Sequence, residues 1–79
     1  MLLTITSLSK IEYKDEVAGL NVKTRAGEIT ILDGHRPLVS VLEKCIAQIL
    51  TKDSKKIPFE VKSGFLEMGG DNRLSLLVD

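Results

Sequence analysis

Apolar and polar residues alternate in short runs along most of the chain, the period-2 signature of half-buried strands. Leu3 and Ile5 share one face while Thr4 and Thr6 share the other, a first strand that ends near Ser7 to Lys10. Ile11 and Tyr13 alternate with Glu12 and Lys14, and the charged pair Asp15-Glu16 closes that piece. Within Val17 to Arg25, Leu20, Val22 and Thr24 alternate with Asn21, Lys23 and Arg25, and Ala26-Gly27 supplies the turn. Ile29 and Ile31 then alternate with Glu28 and Thr30 until Asp33-Gly34, a pair suited to positive φ, stops the strand. His35 and Arg36 follow in a loop, and Pro37 fixes its own φ and pushes Arg36 toward an extended conformation.

Between Leu38 and Leu50 the pattern supports two readings. Val39, Leu42, Ile46, Ile49 and Leu50 fall at the three-and-four spacing of an amphipathic helix, with Pro37 placed as a first helical residue. The β-branched content of the run and a break near Glu43-Lys44 equally suit two short strands. Beyond it, Ile57, Phe59 and Val61 alternate with Pro58, Glu60 and Lys62, the proline marking an edge position. Ser63-Gly64 reads as a turn or bulge. Phe65 to Met68 and Leu74 to Val78 form a hairpin across Gly69-Gly70-Asp71-Asn72, with Leu66, Met68, Leu74, Leu76 and Val78 inward. Turn signals every 8 to 12 residues or so point to a sandwich or barrel.

Composition narrows this picture without overturning it. A chain of 79 residues makes one domain, residues 1–79, without internal repeat or linker. A domain of this size buries only about 60% of the surface that its unfolded form exposes. With Tyr13, Phe59 and Phe65 as the only aromatics, Leu, Ile and Val must build the core. Eleven basic and eleven acidic residues balance to zero, which removes the electrostatic footprint of a nucleic-acid binder. Lys52, Lys55 and Lys56, broken by Asp53 and Ser54, read as a solvated turn. The single cysteine, Cys45, has no internal partner, and its apolar neighbours predict a buried, inert thiol in a reducing compartment. No apolar stretch approaches the ~18 residues of a membrane span, and the N-terminus lacks the build of a secretory signal.

Catalysis has little to stand on. His35 is the only histidine; no HExxH, paired CxxC, GxGxxG or GxxxxGK[ST] pattern occurs, so no catalytic, cofactor-binding or metal-ligating set is predicted. A hydrolase using His35 is the weakest reading, and a small β-rich protein-interaction domain is the bland one.

Ala26 to Leu38, reading AGEITILDGHRPL, resembles the GE(F/L)GILPGHAPL signature of the epsilon subunit of F-type ATP synthases, called delta in mitochondria. Phe59 to Met68 resembles that family's F-x-V-SGGFLEV block, and Asn72 to Asp79 its N-x-VTVLAD block, in the same order along the whole chain. Thr30, Asp33 and Arg36 depart from the usual Gly, Pro and Ala, and Lys62-Ser63 from Ser-Gly. The resemblance implies an all-β sandwich of about ten strands, with Leu38 to Leu50 extended. It implies a non-catalytic central-stalk subunit whose partners are the gamma subunit and the membrane rotor ring, coupling ion-driven rotation to ATP synthesis. Glu28 and His35 carry over as partner-contact positions, with Arg36 beside them. It further implies a peripheral place at the cytoplasmic face of a bacterial inner membrane, and, since the chain stops at Asp79, no inhibitory C-terminal helical hairpin.

Overall fold

Every run of alternating residues becomes a strand in the computed structural model, which describes residues 1–79. Nine strands follow one another: β1 (Leu2–Thr6), β2 (Ile11–Glu16), β3 (Gly19–Thr24), β4 (Gly27–Leu32), β5 (Leu38–Leu42), β6 (Cys45–Leu50), β7 (Lys56–Val61), β8 (Gly64–Met68) and β9 (Arg73–Val78). There is no helix. The ambiguous run resolves into β5 and β6, broken at Glu43-Lys44. The reason lies in which residues are covered: a helical stripe would bury Val39 and Ile46 with Leu42 and Ile49, yet Val39 is 74% and Ile46 62% exposed. Leu42, Ala47 and Ile49 are buried instead, at strand spacing. Long-range pairing overrides the local period here.

Hydrogen bonding runs β2-β1-β9-β8-β5 and continues through β3 to β6 and β7, while β4 pairs only with β3. The sheet doubles over at the joint where Thr24 of β3 meets Leu42 of β5. Two backbone bonds close that joint, Arg25 N–H to the Val41 carbonyl and Glu43 N–H to the Lys23 carbonyl, each 2.9 Å. Five strands form one layer and β4-β3-β6-β7 the other, a β-sandwich 26 × 22 × 20 Å across. All pairings are antiparallel except that of β1 with β9, so the first and last strands lie side by side.

The inward faces supply a continuous aliphatic core, including Leu3, Ile5, Leu20, Ile31, Ile49 and Leu66. The five inward residues expected of the β8–β9 hairpin are all buried. Thr24 is the one buried polar side chain, and it is satisfied: its hydroxyl donates to the Gly27 carbonyl (2.8 Å) and accepts from Ala26 N–H (3.1 Å), closing the β3–β4 turn. Cys45 departs from the expectation of a buried thiol. It stands at the first position of β6, opposite Val61, and is half-buried because the strand begins at the rim of the core.

Candidate functional site

β4 is an edge strand, and one of its faces carries what the sequence singles out. Glu28, Thr30 and Leu32 point outward while Ile31 is buried, so a row of exposed side chains runs the length of the strand. At about 3.3 Å per residue, Glu28 lies roughly 13 Å from Leu32, and the loop bearing His35 and Arg36 prolongs the row. The structure therefore does not gather Glu28 and His35 into one pocket; it sets them at opposite ends of one strip. Glu28 is held in place: Asn21 of β3 donates through Nδ2 to Glu28 Oε2 (3.1 Å) and to Thr30 Oγ1 (2.9 Å).

The loop after β4 is built by backbone bonds to Ala18 and Leu32 and by contacts from Asn72 and the Met1 ammonium. Asp33 N–H donates to the Ala18 carbonyl (3.1 Å) and His35 N–H to the Leu32 carbonyl (3.0 Å). Gly34 takes φ 80°, open to glycine without strain. The His35 ring places Nδ1 2.7 Å from the Arg36 carbonyl, a bond that the Nδ1-protonated tautomer makes while Nε2 stays an acceptor. No hydroxyl, thiol or carboxylate of the chain bonds that ring. Arg36 is exposed and takes part in none of the chain's ion pairs. No cluster of three or more His, Cys, Asp or Glu side chains forms a metal centre.

From the far side of the sandwich, Asn72 in the β8–β9 turn reaches this loop: Gly34 N–H donates to Asn72 Oδ1 (2.8 Å), and Asn72 Nδ2 donates to Asp33 Oδ1 (2.9 Å). The same Asp33 oxygen accepts from the Met1 ammonium, which also donates to the Val17 carbonyl at 3.0 Å. Hydrogen bonding from that ammonium, then from Asn72, holds the Asp33 carboxyl below its ordinary value against an opposing desolvation, with the charges of Met1 and Lys52 assisting. A folded-state value below the unfolded one contributes stability that is complete above the ordinary value of 3.8 and is lost as pH falls through the lower, folded value. Thermal midpoints measured from neutral pH down to about 2 should therefore decline more steeply for the unaltered chain than for Asp33→Asn. Parallel curves would dismiss the carboxylate as a contributor.

Sequence reasoning did not find a second surface, on the outer face of the five-stranded layer. Phe65 of β8 pairs with Leu77 of β9 and with Val41 of β5; Leu77 pairs with Thr6 of β1, and Thr6 with Ile11 of β2. Partners directly opposite share a face, so a row of four apolar side chains, interrupted by Thr6, crosses the layer, with Phe65 57% exposed and Ile11 and Leu77 similarly open. Leu8 and Val78 help to line a groove of about 420 Å³ at its end. The signal was present in Leu76-Leu77-Val78, three successive apolar residues in a strand that buries only alternate ones.

The whole chain, residues 1–79, matches the family described as ATP synthase, Delta/Epsilon chain, beta-sandwich domain. The ATP synthase epsilon chain of Clostridium kluyveri is 35% identical over 77 residues, covering 98% of this chain and 58% of that one. The epsilon chain of a Roseiflexus species is 34% identical over 77 residues, covering 98% and 54%. A chain in the cryo-EM structure of the Euglena gracilis mitochondrial ATP synthase, OSCP/F1/c-ring in rotational state 1, superposes with a TM-score of 0.92 at 25% identity, over 99% of this chain and 49% of that one. One in the Tetrahymena thermophila mitochondrial ATP synthase central stalk and c-ring gives 0.80 at 20% identity, over 99% and 62%, a likeness of fold alone. The chain spans about half the length of the curated relatives it matches. The expected sandwich and the full-length family match displace the reading as an unrelated β-rich domain, and the chain belongs to the family of ATP synthase delta/epsilon β-sandwich domains.

Proposed function

We propose that this chain acts as a non-catalytic rotor component of an F-type ATP synthase, joining the gamma subunit to the membrane rotor ring so that ion-driven rotation is coupled to ATP synthesis. The observation that carries the reading is the strip along β4, exposed from Glu28 to Leu32 and prolonged by the half-buried His35 and the exposed Arg36, on an edge strand with no partner on its outer side. Its charged and polar groups suit a wet contact with the polar rim of a ring, and Glu28, His35 and Arg36 are the residues assigned to it. The apolar row of Ile11, Leu77, Phe65 and Val41, on the other layer, suits the more extensive hydrophobic contact of a permanent subunit partner and is assigned to gamma. The chain is then peripheral to the membrane, held there through the complex.

Two sets of variants separate the surfaces. Exchanging Phe65 and Leu77 together for Ser should weaken binding to purified gamma by at least about tenfold, as loss of a buried aromatic anchor does. Replacing His35 and Arg36 with Ala should leave gamma binding intact and reduce retention on a detergent-solubilised gamma–ring complex. Failure of the unaltered chain to bind gamma would sink the reading, and an unchanged response to both sets would remove the surfaces assigned here.

A further inference from the structure

The His35–Arg36 loop runs between the end of β4 and the start of β5, and the side chain that reaches it from furthest along the chain is that of Asn72. We infer that Asn72 is the positioning residue of this contact loop, an inference that rests on the reading of the loop as a partner surface. Three of its bonds converge from two elements, two from the loop and one from β1. Its Oδ1 accepts the Gly34 N–H (2.8 Å), its Nδ2 donates to Asp33 (2.9 Å), and its backbone carbonyl accepts Leu2 N–H (3.2 Å). Asn72 adopts φ 62°, a left-handed conformation that asparagine tolerates better than other side-chain-bearing residues and that aims its amide across the turn at β4's end. One side chain thus ties the end of β4 to the β8–β9 turn, while its backbone ties that turn to β1.

Gly34 N–H has this single acceptor in the chain, so without the Asn72 amide it would be left to water. His35 and Arg36 follow immediately. The ring bond of His35 is to the neighbouring Arg36 carbonyl and cannot anchor the pair to the rest of the sandwich. Asp33 completes the clip from the loop side. It stands where the resembled signature carries Pro, which could neither accept from the Asn72 amide nor from Met1. The clip therefore belongs to the loop in which this sequence also bears Arg36 in place of Ala, and both departures act on one surface: Asp33 fixes it and Arg36 adds a charge to it.

Asn72→Gly removes the bridging amide while preserving the left-handed backbone, so the sandwich should fold. In that variant, hydrogen exchange at the Gly34 amide should accelerate by about tenfold or more, with amides of β8 and β3 unchanged. Affinity for a detergent-solubilised complex of gamma and the rotor ring should fall by about tenfold, and affinity for gamma alone should hold. A reciprocal exchange supplies the control that a merely structural role would not meet. Asn72→Asp alone sets two carboxylates side by side and should also loosen the loop. Combined with Asp33→Asn it restores one donor and one acceptor across the same gap and should recover both slow exchange and binding. Unchanged Gly34 exchange in Asn72→Gly would overturn the positioning role, as would a loosened loop that binds the complex normally. If the unaltered chain does not bind the complex, the contact reading falls with it, and the exchange rates alone then report whether Asn72 orders the loop.

Discussion

Gly64→Ala is expected to cost about 3 kcal/mol or more, although it adds one methyl group. Gly64 opens β8 at φ 154°, and an added Cβ would stand 2.2 Å from the Leu77 carbonyl oxygen and 3.0 Å from Val78 Cα. Both obstacles are backbone and cannot rotate aside. The residue pairs with Val78 on one side and with Leu42 on the other, and Leu42 is the partner of Thr24 at the joint of the two layers. Relieving the clash by moving β8 would therefore disturb two ladders and the joint together. A domain of this length holds only roughly 4–12 kcal/mol of net stability. Gly34→Ala makes the comparison: its φ of 80° carries the left-handed penalty, but nothing lies within 4 Å of the added methyl. It should cost about 1–2 kcal/mol. Urea unfolding of both variants checks the pair, and a loss below about 1 kcal/mol for Gly64→Ala would refute the close approach.

Where one face of a strand is buried and the other wet, the sequence declares it, and β1, β3, β8 and β9 were legible residue by residue. Leu38 to Leu50 was not, because its outward positions also carry Val39, Val41 and Ile46, so that apolar residues fit either period. Only pairing with β8 and β7, which no local pattern encodes, decides for strands. The resemblance carried by AGEITILDGHRPL pointed the right way at this one place. The candidate site divides similarly. Glu28, His35 and Arg36 could be named because they lie in one stretch of chain, but the clip from Asn72 joins residues 38 and 39 positions apart. Nothing in the loop's own sequence indicates it. The apolar row crossing five strands is likewise a product of register.

Neighbouring residues of β8 provide the sharpest separation of core from contact surface. Leu66 is fully buried on a strand paired on both sides, opposite Ser40 of β5 and Leu76 of β9. Leu66→Ala leaves a cavity where the surrounding strands cannot collapse, since each is held by its ladder, and should cost about 3 kcal/mol. Phe65 points to the opposite face, and Phe65→Ala forfeits only cross-strand packing on Leu77 and Val41, about 0.2–1 kcal/mol. The order of effects should reverse when gamma binding is read in place of stability. Leu66→Ala, studied at a temperature where it remains folded, presents the same outer face and should bind gamma as the unaltered chain does. Phe65→Ala should fold normally and bind less well. The crossing follows from strand geometry alone, because successive side chains of β8 serve opposite faces of the sheet. Similar denaturation midpoints for the two variants would contradict the assignment of inner and outer faces. Equal gamma affinities would instead remove Phe65 from the docking surface and leave the fold as described.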